Sequence, residues 1–264
     1  MSVATDARVD ELMIVTLARE FTDETVAFNG AASFIPVCAY QLARETHAPE
    51  LVWSASSIAV DAHPRRIGES TLSDELWGGA SMLCNSPFDF WSYCQGIRYN
   101  TFAFRGAQMD RFGNVNNTVI GSFAQPKVRL PGGGGMADLG CMLPNIYLWA
   151  TQHGPRTFVE KLDFRSGIGW GDGGDHRARL QLPGGPKLCV TDLCVLDFEP
   201  ETKAMRLRSV HPGVAVDQVV EATGFEVLMP EGDVPETSLP TEEELRILRD
   251  VVDPTEMRLR EFTG

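Results

Sequence analysis

The chain has 264 residues, 43% hydrophobic and 22% charged, a composition that excludes wholesale disorder in a length able to bury a core without disulfide or metal staples. Lys and Arg total 23 against 36 Asp and Glu, and the net charge of −13 argues against a basic face for nucleic acid. No apolar run approaches the roughly 18 residues of a membrane helix, and the N-terminal MSVATDARVDEL lacks the basic and apolar regions of a signal peptide, so a cytoplasmic protein is expected.

Along the chain, Val9, Leu12, Met13, Thr16, Leu17 and Phe21 recur at helical spacing and predict an amphipathic helix over residues 6–20. Residues 25–28 (TVAF) read as a short buried strand. Asn29-Gly30 is a turn pair, residues 31–45 a second helix ending before Pro49, and residues 51–54 (LVWS) the next strand. Strand, turn, helix and strand form a βαβ unit, which implies a parallel sheet.

Residues 88–96 are then predicted helical and 99–104 extended, and 111–117 (RFGNVNN) suits a turn bonded to its own side chains. Residues 127–130 run as a strand into Gly132 to Gly135, with a helix beyond and a strand at 145–151. Seven glycines among polar residues make 166–186 a predicted surface loop. Residues 188–198 and 205–210 read as a hairpin across Glu199-Pro200-Glu201, and 214–223 as a helix closed by Gly224 at C′. Thr241 and Glu244 read as the capping box of a last helix, whose carboxylates are expected on a solvated face. The expected fold class is α/β, an open, mostly parallel sheet flanked by helices. One domain is expected over 1–264, with a helical tail at about 241–264.

The six cysteines (38, 84, 94, 141, 189 and 194) form no C-x-x-C and read as small core residues that stay reduced. The five histidines are equally dispersed, so no metal site is expected.

Three features can carry chemistry. Four glycines between a strand and a helix, in PGGGGMAD at 131–138, let backbone approach a ligand. N–H groups of Gly133, Gly134 and Gly135 near a helix start can hold phosphate or a developing oxyanion, although a flexible turn fits equally well. The stretch is neither a Walker A loop nor G-x-G-x-x-G. In the second feature, at 106–117, a structural turn is the plainer reading, and the alternative is that amide groups near Asn116 help shape a site. The third is WSASS at 53–57, at the carboxyl end of a predicted strand, where parallel sheets bind ligands. No G-x-S-x-G elbow surrounds Ser54 or Ser57, so these hydroxyls are expected to line a site rather than attack.

In chain order these stretches resemble the β subunit of class I coenzyme A transferases over about residues 5–230. FNGAAS at 28–33, with the helix ending at THAP, is similar to the family's first βα unit. QMDRFGNVN at 108–116 is similar to its Q-x-D-x-x-G-x-x-N stretch, and GGGMAD at 133–138 to its Gly-Gly-Ala-x-Asp segment. VTD at 190–192, HPG at 211–213 and ATGF at 222–225 fit its terminal hairpin and helix. The resemblance implies the class I CoA-transferase-like fold, shared with sugar-phosphate isomerases of related architecture.

Active transferases of this family carry a glutamate soon after the second strand, which attacks the acyl-CoA thioester and then holds CoA. Here that stretch is WSASS, and neither Glu50 nor Glu69 is a convincing substitute. This departure, with the aromatic FDFWSY at 88–93, resembles the two-subunit steroid ring-cleaving hydrolases of cholesterol-degrading bacteria. That resemblance implies hydrolytic carbon–carbon cleavage of a cyclic β-keto acyl-CoA in cholesterol catabolism. It implies a catalytic base on an α subunit, an α2β2 heteromer, and no cofactor beyond coenzyme A as part of the substrate. A true CoA transferase β subunit, or a structural subunit completing its partner's pocket, are the alternatives.

Overall fold

A computed structural model describes residues 2–56, 58–72, 74–77, 79–84 and 87–262. The chain divides into two compact units, 1–101 with 238–264, and 102–237.

The first unit begins with helix α1 (Val9–Ala18), strand β1 (Val26–Phe28), helix α2 (Phe34–Thr46) and strand β2 (Val52–Ser54). β1 and β2 are parallel, with Ala27 opposite Trp53 and Phe28 opposite Ser54, and Thr101 pairs in parallel with Ala27 on the other side. This is the expected βαβ unit. Both strands present almost entirely buried residues, as strands of a covered parallel sheet do. A two-residue ladder joins β3 (Ala59–Val60) to β4 (Met82–Leu83), and helix α3 (Pro87–Gln95) follows.

The first helix is not amphipathic. Asp10 to Val15, Leu17 and Ala18 are all buried, so α1 is an interior helix. Its two carboxylates are neutralised from the other end of the chain: Arg258, itself fully buried, donates to Asp10 at 2.7 Å and Glu11 at 3.3 Å.

The second unit holds β5 (Thr101–Arg105, beyond its first residue), β6 (Gln108–Met109), β7 (Val115–Asn116), β8 (Val119–Gly121) and β9 (Pro126–Arg129). Helix α4 (Met136–Met142), β10 (Asn145–Ala150), the single turn α5 (His176–Arg179) and β11 (Gly185–Thr191) follow. β12 (Cys194–Phe198), β13 (Met205–Val210) and helix α6 (Val216–Ala222) complete it. Its sheet runs β5–β10–β11–β12–β13, parallel at β10–β11 and antiparallel over the last two pairings. Leu148, Trp149, Val190, Leu196 and Leu207 fill its core. β6 with β7, and β8 with β9, are short separate ribbons.

Three expectations in this unit are corrected. The segment 166–186 is a surface loop only in part: residues 178–181 are exposed, but Arg177 is buried within it and donates to the carbonyls of Gly140, Gly169, Pro183 and Gly184. A Cβ on Gly169 would lie 2.3 Å from the Gly113 carbonyl, so glycine there permits packing rather than mobility. The 188–198 run is two strands, because Thr191 Oγ1 accepts from the N–H groups of Leu193 and Cys194 and turns the chain. Gly224 closes no left-handed cap, since Thr223 is extended. It stands where a Cβ would meet the Phe158 carbonyl at 2.5 Å.

The chain then returns to the first unit as α7 (Glu242–Ile247), followed by a wide π turn over Leu248–Val252. The capping box forms: Thr241 Oγ1 accepts from the Glu244 N–H, and the Glu244 carboxylate accepts from the Thr241 N–H. The solvated-face expectation fails at Asp253, which is fully buried against Arg258.

The cysteines are all free. Cys38, Cys94, Cys189 and Cys194 are buried, and burial pushes the Cys94 thiol up to about 12. Cys84 is half-buried and Cys141 is exposed, against the expectation that every cysteine lies in the core. Among the described residues no three His, Cys, Asp or Glu converge on a possible metal position, and no helix is long and apolar enough to cross a membrane.

Candidate functional site

The glycine loop enters α4 in the second unit. Gly132 and Gly134 have φ of +108° and +52°, conformations that glycine adopts without a Cβ penalty. A Cβ at either would meet nothing within 4 Å, so the outer side of the loop is open. Its inner side is packed, and a Cβ on Gly133 would lie 3.1 Å from that of Ser166. The Gly132 N–H donates to the Asn117 carbonyl at 2.8 Å, and the Leu130 N–H to the Thr118 carbonyl at 3.1 Å. Among the described residues nothing accepts from the N–H groups of Gly133, Gly134 or Gly135. Three successive free amides at a helix start can receive an oxyanion, an enolate oxygen or a phosphate.

The floor under the loop is polar and fully bonded. Asn116 is completely buried. Its Nδ2 donates to Gln108 Oε1 and the Val119 carbonyl, and its Oδ1 accepts from the Thr118 N–H. The structure thus places Asn116 as a brace beneath the loop, not as an exposed ligand contact. Ser166 Oγ accepts from the Asn117 N–H at 2.9 Å and lies 2.7 Å from Thr118 Oγ1. The neighbouring 110–114 stretch is the expected self-bonded turn, with the Asp110 carboxylate accepting from the Phe112 and Asn114 N–H groups and Gly113 at φ +68°.

Ser54 belongs to the first unit, at the carboxyl end of β2. It has no exposed surface, and Ala55, the next residue, bridges to Ala59. Its Oγ accepts from the Tyr99 hydroxyl at 2.8 Å. Tyr99 is held among Phe28, Phe90 and Tyr93, and its burial raises its pKa to about 12 even though the bond to Ser54 acts the other way. Ser54 is therefore a bonded interior hydroxyl and not a free one. Ser57 lies outside the described residues. Ser56 adopts a left-handed φ of +52°, and its N–H donates to Asn29 Oδ1. Asn29 is buried too, and its Nδ2 donates to the carbonyls of Gly30 and Thr71, so one amide ties three loops together.

Among the described residues, neither glutamate near β2 in the sequence reaches this strand end. Glu50 lies before β2, where its N–H is bonded to Asp23, and the Glu69 side chain is 87% exposed. Of the expected site residues, the structure gathers Asn116 and Gly133 to Gly135 into one corner, and Ser54 stands in the other unit. Asn117, Ser166, Tyr99 and Asn29 escaped the sequence reading. The Asn116-Asn117 pair carried a signal for the first, but nothing in the sequence ties Ser166 to a loop over thirty positions earlier.

Comparison with known proteins places the chain in a family. The coenzyme A transferase family's sequence profile matches residues 11–222. The corresponding chain of the 3-oxoadipate CoA-transferase of Pseudomonas knackmussii is 39% identical over 91% of each chain. The IpdB subunit of the cholesterol ring-cleaving hydrolase of Rhodococcus jostii is 31% identical over 87% of this chain and 86% of its own. The crystal structure of IpdAB from that organism superimposes with a TM-score of 0.84 at 26% identity, covering 97% of this chain and 99% of that one. The decarboxylase AibA/AibB superimposes with a TM-score of 0.83 at 26% identity, covering 96% and 98%. The chain belongs to the coenzyme A transferase family, as a β-type subunit of a heteromeric enzyme.

Proposed function

We propose that this chain is the β subunit of a heteromeric hydrolase that opens a carbon–carbon ring bond of a cyclic β-keto acyl-CoA. The observation that carries the reading is the end of β2, where Ser54 stands buried and bonded to Tyr99 in place of a carboxylate. Without a carboxylate nucleophile, CoA has no acceptor on this chain and the thioester survives the reaction. A surviving thioester is an electron sink. Water adds to the ring ketone, the bond between that carbon and the thioester's α-carbon breaks, and the electron pair enters the thioester as an enolate. A proton on the α-carbon completes a ring-opened acid that still carries CoA.

In this reading the free N–H groups of Gly133 to Gly135 hold the anionic oxygen, and the base that activates water comes from the α subunit. No cofactor is required, because coenzyme A arrives with the substrate. The assembly proposed is α2β2, in the cytoplasm. The IpdAB likeness and the shared two-subunit organisation support this reading. A second reading, acyl transfer to a carboxylate, is favoured by the 39% identity to a chain of a 3-oxoadipate CoA-transferase.

One experiment separates the two. The chain is co-expressed with its α subunit and incubated with a cyclic β-keto acyl-CoA, and both products and subunits are weighed by mass spectrometry. Ring opening gives an acyl-CoA heavier by one water and leaves this subunit at its native mass. A CoA adduct on this chain, or CoA moved to an added dicarboxylate, would establish transfer instead.

A further inference from the structure

The glycine loop has no side chains with which to anchor itself, so its geometry depends on what holds its entry. At Gly132 that is the Asn117 carbonyl, at 2.8 Å. The Asn117 side chain grips the chain elsewhere: Oδ1 accepts from the Ala107 N–H at 2.7 Å, and Nδ2 donates to the Arg105 carbonyl at 2.8 Å. These two bonds clamp the peptide leaving β5, Nδ2 also donates to Met136 Sδ at 3.5 Å, and the backbone of the same residue clamps the loop. Asn117 also donates its own N–H to Ser166, the residue packed beneath Gly133. Asn117 thus has every hydrogen-bonding group committed, three of them to backbone on either side of the loop's entry.

We propose that Asn117 is the positioning residue of the glycine loop, coupling the end of β5 to Gly132 so that the N–H groups of Gly133 to Gly135 are held at the spacing an anionic oxygen needs. The proposal rests on the acyl-CoA reading above. Asn117 does not touch substrate. It acts through the loop, and misplacing positioned donors by about 1 Å lowers turnover by up to about 100-fold. Asn116, by contrast, binds only within its own corner and has no bond to the loop.

The test uses the αβ heteromer and two variants. Asn117→Ala removes the side-chain clamp and leaves the backbone carbonyl without its anchor, and is expected to lower kcat by about 10- to 100-fold with KM within about twofold. The Gly132 amide should lose its protection in hydrogen–deuterium exchange. Asn117→Asp keeps the acceptor for Ala107 but, when ionised, has no donor for the Arg105 carbonyl. Protonation restores that donor, so the ratio of variant to wild-type kcat should climb as pH falls from about 7 to about 5. A purely structural residue would give no such pH-dependent rescue at constant melting temperature. The proposal is overturned if Asn117→Ala turns over at the wild-type rate. It is equally overturned if Gly132 stays as protected in Asn117→Ala as in the wild type. Should the enzyme transfer CoA instead of opening a ring, the functional reading fails, but the same kinetics are run on transfer. The exchange measurement needs no substrate.

Discussion

Gly134→Val isolates what the loop conformation does. At φ +52° an L-residue pays about 1–2 kcal/mol, and a β-branched one more. Crowding adds nothing, because a Cβ at Gly134 would meet no atom within 4 Å. The residue is exposed, so the loop is free to relax toward negative φ, and relaxation turns the neighbouring N–H groups away from a common point. The strain then appears as lost geometry and not as lost stability. Turnover of acyl-CoA by the purified heteromer should fall about 100-fold, the scale of removing an oxyanion donor. The melting temperature should fall by no more than about 4 °C. Gly140→Ala is the contrasting control: its Cβ would lie 2.8 Å from the Ile168 carbonyl, so it should lower stability without a loop-specific effect on turnover. Wild-type turnover in a folded Gly134→Val heteromer would refute the reasoning and reduce the loop to a turn.

Ser54→Ala leaves the buried Tyr99 hydroxyl without its acceptor and should cost about 1–3 kcal/mol in denaturant unfolding. The double variant with Tyr99→Phe should recover part of that loss, and strict additivity would show that the bond is unimportant. Arg258→Met leaves Asp253 without its buried partner and takes from Asp10 and Glu11 one of their cations, so a loss of about 3–5 kcal/mol is expected, and a neutral outcome would contradict the buried network. Burial would raise the Glu11 pKa, but bonds from Arg249 and the Arg8 N–H, with the charges of both arginines, hold it below its ordinary 4.5. Its contribution to stability is therefore complete above 4.5 and disappears as acid titrates the folded carboxyl; Glu11→Gln should flatten that acid limb. His153 responds in a different window: burial lowers its pKa from 6.5 to about 4, so folding excludes its proton and stability falls as pH drops between those values. His153→Gln should remove that slope, and an unchanged slope would assign it to other groups.

The βαβ start, the aromatic helix α3 and the capping box of α7 were legible because each is encoded within a few residues, by periodicity or by one local pair of bonds. The amphipathic reading of α1 failed because Asp10 and Glu11 look solvent-facing until Arg258, nearly 250 positions away, arrives to neutralise them. The 166–186 segment misled for a related reason. Glycine allows both mobility and close packing, and only the buried Arg177 with its four carbonyl partners decides between them. At the site, the glycines announced themselves, but the residues that hold them did not. The side chains of Asn117 and Ser166 bond to backbone groups of distant segments, and such partners leave no trace in residue type.

The last segment of the chain completes a body begun at the first. Val3 bridges to Thr241, Arg258 neutralises α1, and Glu261 accepts from the Phe34 N–H at the start of α2. During synthesis, therefore, residues 102–237 emerge as one uninterrupted stretch while the ribosome is still at work. The N-terminal portion has no such autonomy. Its first helix lacks the buried guanidinium of Arg258, and its second the Glu261 carboxylate at its start, until residues 258–261 are translated. A stop before Arg258 leaves a nascent product whose oldest part cannot close, which makes residues 258–261 the checkpoint for the N-terminal fold.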